Sequence, residues 1–195
     1  MDRRAWDRLV STASIVIAVA MIVLGGLAIY GGNFGQQNVR DRLEPQKVFF
    51  APLNAMTPEE KATVGAFAGQ QVVNGEQAKA FSDYIAGHLQ FVNDGKTYAE
   101  TSGAARAEGL DPQTAADLQA KADVLFKGET LRAIMLNAYG WWTVSTIALY
   151  AGWFMVIAGI VLAVLAILGF RHAKKANAAA TPEEASGREF ATQSA

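Results

Sequence analysis

Apolar residues along this chain gather into two long charge-free runs, with a stretch of helix-punctuating residues between them. The first run extends from Ser11 to Tyr30, and its 20 positions carry no charged side chain. At about 1.5 Å of rise per helical residue it reaches about 30 Å, the thickness of a bilayer's hydrocarbon core, where a backbone must satisfy its own hydrogen bonds and is therefore helical. The second run, Trp141 to Phe170, is charge-free over 30 residues. That is more than the core requires, so the helix tilts, or starts outside and enters near Trp153 or a turn earlier.

Arg3, Arg4 and Arg8 precede the first run as they would in a signal peptide. The run is longer than the about 7–15 apolar residues of a cleaved segment, however, and no small-x-small site follows at Tyr30-Gly31-Gly32-Asn33. It reads as an uncleaved anchor. Basic residues lie close to the outer ends of both runs, at Arg3, Arg4 and Arg8 and at Arg171, Lys174 and Lys175. The charge asymmetry therefore predicts both termini in the cytoplasm of a cell-membrane protein that spans twice. Aromatic residues at the run edges (Trp6, Tyr30, Phe34, Tyr139, Trp141 and Trp142) fit the two interfacial belts.

Between the runs the punctuation is helical. Thr57-Pro58-Glu59-Glu60 and Thr97-Tyr98-Ala99-Glu100 have capping-box spacing, and Asn74-Gly75-Glu76-Gln77 repeats it with amides. Asp111-Pro112 opens a further helix, while Asn93-Asp94-Gly95, Gly109 and Gly128 read as stops. Residues recur at steps of three and four on one face: Ala78, Phe81, Ile85, His88 or Leu89, and Val92, then Ala115, Leu118, Ala122 and Leu125, then Leu131, Ile134, Met135, Ala138 and Trp142. The last stripe predicts a helix running from the domain into the second span, with Gly140 as a hinge. Lys47-Val48-Phe49-Phe50 reads as an extended anchor before Ala51-Pro52.

The resulting expectation is an all-α membrane protein, two transmembrane helices flanking a small helical extracytoplasmic domain. Its boundaries are a cytoplasmic N-terminus over 1–10, spans over 11–31 and 141–170, a domain over 32–140, and a disordered polar tail over 171–195. Large apolar residues are sparse between the spans, at Phe49, Phe50, Phe67, Phe81, Tyr84, Phe91, Leu118, Leu125 and Phe126. A domain of about 100 residues so composed has a thin core. Packing on the outer end of span two, or on a partner, would supply the missing burial.

Composition then narrows the chemistry. The chain has 195 residues, 51% hydrophobic and 18% charged, with a formal net charge of −1 and no Cys; its mean hydropathy is +0.14. The balance argues against nucleic acid as a partner, and the missing Cys removes thiolate and iron–sulfur chemistry. Residues 33–140 hold 10 basic and 13 acidic side chains. The two His, His88 and His172, fall on opposite sides of the membrane in this topology, so they cannot share a metal. Glu59 and Glu60 belong to a helix start, Asp117 and Asp123 to polar helix faces, and no Gly-rich phosphate loop, GxSxG or SxxK element is present. The spans lack the ionisable residues that proton relays and coupled transport use. Small residues four apart (Ser14 and Ala18, Ala28 and Gly32, Ala148 and Gly152, Gly159 and Ala163) suit close helix packing, within one chain or between chains.

The stretches Ala68-Gly69-Gln70-Gln71, Gln77-Ala78, His88-Leu89, Gly95-Lys96-Thr97-Tyr98 and Phe126 to Arg132, then Leu136 to Tyr139, resemble an actinobacterial family of small two-span membrane proteins. The opening Asp2 to Arg8 does so too. The resemblance covers roughly residues 1–175 and implies an actinobacterial cell membrane without implying an activity. Some members of that family bear a label as aromatic ring-opening dioxygenases, which the His inventory of this chain does not support.

Subtraction leaves a non-enzymatic integral membrane protein, an accessory or scaffolding subunit that binds a protein partner and needs no cofactor or metal. The candidate contact residues are Arg132, Asn137, Tyr139, Trp141 and Trp142, with Arg171, Lys174 and Lys175 as contacts to anionic lipid. Two other readings stand beside it: a two-span ligand sensor lacking its own output domain, and a homo-oligomeric pore formed by self-association.

Overall fold

The computed structural model describes the backbone of residues 3–192 and the side chains of Trp6 and of residues 9–172. Five α-helices follow in chain order: α1 (Arg3–Leu43), α2 (Pro58–Val64), α3 (Gly75–Leu89), α4 (Tyr98–Ala105) and α5 (Pro112–Thr192). Among the described residues the β pairing amounts to one isolated antiparallel bridge, Phe49 with Gln71. α1 and α5 are long and apolar enough to cross a membrane, and only 11% of each apolar window is buried within the protein. A helix from the core of a soluble protein would be covered.

The chain forms two compact units, one of Met1–Gly31 with Ala148–Ala195 and one of Gly32–Ile147. In the first, α1 and α5 run antiparallel. Gly25 lies against Gly152, Gly159 against Ala18 and Ile22, and Gly169 near Ser11. The buried positions are Ala18 and Gly25 on α1 and Gly152, Gly159 and Ala166 on α5, so each helix repeats a small residue every seven positions. That period keeps one seam on the partner helix in left-handed packing. Of the four-residue pairs expected from the sequence, each has one buried member (Ala18, Gly32, Gly152 and Gly159) and one half-buried member (Ser14, Ala28, Ala148 and Ala163). The outer surfaces carry Val16, Val23, Leu27, Ile157, Ile160 and Leu165, all more than half exposed.

The second unit is built around Phe50. Val39 and Leu43 of α1, Val64 of α2, Ala78 of α3 and Met135 of α5 bury against it with Met56 and Val72. The Phe50 ring stacks on Phe67 (centroids 5.4 Å apart) and meets Phe81 edge-on (5.3 Å). Hydrogen bonds from Phe50 N to Gln70 O and from Val72 N to Val48 O, both 2.9 Å, hold the extended residues in place. The connection between them turns at Gly69, whose φ of +70° favours glycine. Val39, Leu43 and Met135 of this cluster come from the parts of the two long helices that lie in this unit.

The helix starts form as their residues dictate. Thr57 with Glu60 and Thr97 with Glu100 make full capping boxes. Asn74 Oδ1 accepts from Gln77 N at 2.9 Å, but the Gln77 side chain accepts from Val73 N rather than from the cap residue itself. Asp111 Oδ1 accepts from Gln113 N and Thr114 N.

Gly128 is a correction. It is no stop: α5 passes through it unbroken, and a Cβ there would stand 2.5 Å from Leu89 Cδ2. Glycine at this position admits α3 rather than ending α5. Gly140, expected as a hinge, likewise lies inside continuous helix. The predicted boundary between domain and span at residue 140 therefore falls inside one element, and residues 171–192, expected as a disordered tail, continue the backbone of α5.

Candidate functional site

α5 meets three different environments within the second unit. One side faces α1, where Ser145 lies against Gly35 and Thr146 Oγ1 accepts from Gln36 Nε2 at 2.9 Å. Another faces α3, where Trp142 packs against Gly75, Leu89 against Gly128, and Arg132 Nε donates to Ser82 O at 3.3 Å. The remaining side is bare. On it Ile134 is 56% exposed, Trp141 61% and Val144 58%.

This bare side carries no charge from Ala133 to Ile147. The neighbouring part of α1 differs. After Phe34 its exposed positions are Gln37, Arg40, Asp41 and Arg42. With α1 and α5 antiparallel and Gly35 beside Ser145, these charges flank the level at which α5 exposes Trp141 and residues toward Ile134. A hydrocarbon medium covering that part of α5 would also reach Arg40, Asp41 and Arg42, at a cost of several kcal/mol for each uncompensated charge. An exposed apolar surface of this kind marks a protein- or membrane-interaction site.

The five predicted contact residues separate on this geometry. Trp141 and Asn137 are on the exposed side. Arg132 is engaged internally: Nη1 donates to both oxygens of Glu129 at 2.8 and 2.9 Å, besides the bond from Nε to Ser82 O. Trp142 packs against the Phe50 core, and Tyr139 is half-buried. Ile134 is the residue that sequence reasoning misplaced. The step of three from Leu131 suggested a packed position, yet the side chain turns out. Arg171 is exposed, while the side chains of Lys174 and Lys175 lie outside the described residues.

A polar cluster sits elsewhere in the same unit. Glu60 Oε1 lies 3.1 Å from His88 Nε2, and the His88 ring meets Tyr84 edge-on with centroids 4.5 Å apart. Burial, and then the neighbouring Glu60 charge, push the Tyr84 phenol above its ordinary 10.0. Among the described residues no group of three or more His, Asp or Glu is placed to hold a metal ion.

Together these features define a class: an all-helical chain with two helices long and apolar enough to cross a membrane, and a second unit built on the ends of both. Among known proteins, no family model, curated protein or solved structure matches this chain.

Proposed function

We propose that this is a non-enzymatic integral membrane protein that crosses the cell membrane twice and holds both termini in the cytoplasm. Residues 32–147 then form an extracytoplasmic helical unit that binds a protein partner, making the chain an accessory or scaffolding subunit. The basic flanks of the spans support the orientation, and the resemblance to the actinobacterial two-span family supports the location. The carrying observation for the partner is the bare side of α5, where Ile134, Trp141 and Val144 are more than half exposed beside the charged end of α1. An aromatic anchor among aliphatic neighbours, free of charge at its centre, is the composition of an interface core.

The test is crosslinking in native membranes with a photoreactive residue at Trp141 or Asn137, and at Gln37 as the control on α1. One protein crosslinked stoichiometrically from the α5 positions and not from Gln37 supports the reading. Trp141→Ala then weakens co-purification in mild detergent by a factor of about 30 or more, as loss of a buried aromatic anchor does, without lowering the Tm of the protein. Equal labelling from all three positions, or recovery of the chain alone as a defined oligomer, overturns it.

A further inference from the structure

Two stripes of identical spacing run side by side along α5 in the second unit. Met135, Ala138, Trp142 and Ser145 form the covered one. Met135 and Ser145 are buried, Ala138 and Trp142 pack against the Phe50 cluster, and Ser145 lies against Gly35 of α1. Each of these is preceded by a residue of the bare side, and all four of those, Ile134, Asn137, Trp141 and Val144, are exposed. Both stripes advance by three, four and three residues, the a and d spacing of a heptad seam. One residue is a step of about 100° around a helix, so α5 offers a second seam beside the one that its own chain fills.

The empty seam has a distinct chemistry. Ile134, Trp141 and Val144 are large and apolar, while the Asn137 side chain makes no hydrogen bond among the described residues. Water satisfies that amide as long as the seam is bare; under an apolar cover it needs a polar partner. A single Asn in an apolar heptad seam fixes the register of the helix that packs there.

We propose, resting on the partner reading above, that the occupant of this seam is one α-helix of the partner, with a hydrogen-bonding side chain opposite Asn137 and Gly, Ala or Ser opposite Trp141. A helix fits because its own three-and-four spacing meets the four side chains in successive layers. A small residue fits because packed helix axes stand about 8–10 Å apart, and the indole of Trp141 takes most of that space. The same requirement disfavours a second copy of this chain. Copies that share one membrane orientation pair about a two-fold axis, which sets Trp141 against Trp141. Two indoles in one layer hold the axes apart, and the Asn137 amides one turn away lose reach of each other.

The experiment uses the full chain in its native membrane. A photoreactive residue is placed singly at 134, 137, 141 and 144, and at 133, 136 and 140 as controls, and mass spectrometry locates the partner residue captured from each. Captures from the seam positions fall three or four residues apart along one segment of one protein, with a small residue at the level of Trp141, and the controls capture less. Asn137→Leu keeps the apolar area but removes the amide. It weakens co-purification by about 5- to 150-fold, because the partner's polar group is left buried without its bond, and it leaves the Tm of the chain unchanged. A partner whose captures scatter over several segments, or one that binds Asn137→Leu as well as the parent or better, overturns the helix seam and leaves the partner reading standing. Capture of lipid alone, or of a second copy of this chain alone, overturns both.

Discussion

Alanine at Gly25 should separate the two long helices, while alanine at the next residue should not. A Cβ on Gly25 would stand 2.7 Å from the Gly152 carbonyl oxygen and 2.8 Å from Val156 Cγ2, and a Cβ on Gly152 meets the Gly25 carbonyl oxygen at 2.7 Å. Ordinary contact begins at 3.4 Å, and the obstacle is backbone, which cannot rotate aside. The helices must part by about 0.7 Å, and a gap of that size forfeits roughly a quarter to a half of each dispersion contact along the seam. Overpacking of this kind costs about 1–3 kcal/mol, against the up to about 1 kcal/mol that alanine gains over glycine in a helix. Gly26 has nothing within 4 Å of its Cβ, so Gly26→Ala collects the propensity gain alone. The difference between the two variants is then the packing term by itself, about 1–3 kcal/mol, or roughly 5- to 150-fold in the unfolding equilibrium. Since the chain has no Cys, cysteines placed at the exposed Val16 and Leu165 can carry spin labels. These report helix separation by electron–electron distance measurement, and detergent-induced unfolding gives the equilibrium. Gly25→Ala combined with Gly152→Ala should cost much less than the two single costs added, because one separation relieves both clashes. Equal stability of Gly25→Ala and Gly26→Ala would refute the reasoning.

Three further outcomes test the second unit. Phe50→Ala removes a ring that is 2% exposed and in contact with three other aromatic residues, and should cost about 3–5 kcal/mol in thermal or chemical unfolding. Gly128→Ala should destabilise by about 1–3 kcal/mol through its collision with Leu89, and Leu89→Ala in the same chain should recover part of that loss. Glu100 is held below its ordinary 4.5 by the backbone hydrogen bond from Thr97 and then by the Thr97 hydroxyl. The protection it gives α4 is fully present above the ordinary glutamate value and should fade as pH drops through the lowered one. Amide exchange of α4 under acid, compared with Glu100→Gln, checks the direction.

Much of this architecture is legible in the chain because its signals are local. Thr57, Asn74, Thr97 and Asp111 accept from amides within three residues of themselves, and each caps the helix that its spacing predicts. The two long apolar runs announce helices of bilayer length, although α1 continues to Leu43 and α5 begins at Pro112. Gly128 misleads because glycine serves both as a helix stop and as a point of close approach. Only the position of Leu89, remote in sequence, tells the two apart. The seven-residue repeat of Ala18 and Gly25, and of Gly152, Gly159 and Ala166, is present in the chain but overlapped by four-residue pairs that share the same glycines. Trp141 and Asn137, candidate contact residues from sequence, are exposed, while the exposure of Ile134 depends on which sides of α5 its neighbours take.

How α5 divides its surface follows from residue size. Within the second unit Gly35 lies against Ser145, while Val39, Leu43 and Met135 share the buried cluster around Phe50. Small residues let backbones approach, and large ones fill the space between elements. α3 takes the side of α5 lined by Gly128, Arg132 and Trp142, because Gly75 and Gly128 leave room for Trp142 and Leu89. With α1 on one flank and α3 on another, the elements of this unit leave the third side of α5 uncovered. A chain selected to keep that side in water would place Lys or Glu there, as it does at Lys121, Lys127 and Glu129 on the same helix. Ile134, Trp141 and Val144 instead leave an exposed apolar side, an aggregation hazard unless it is covered, as the proposed partner would do.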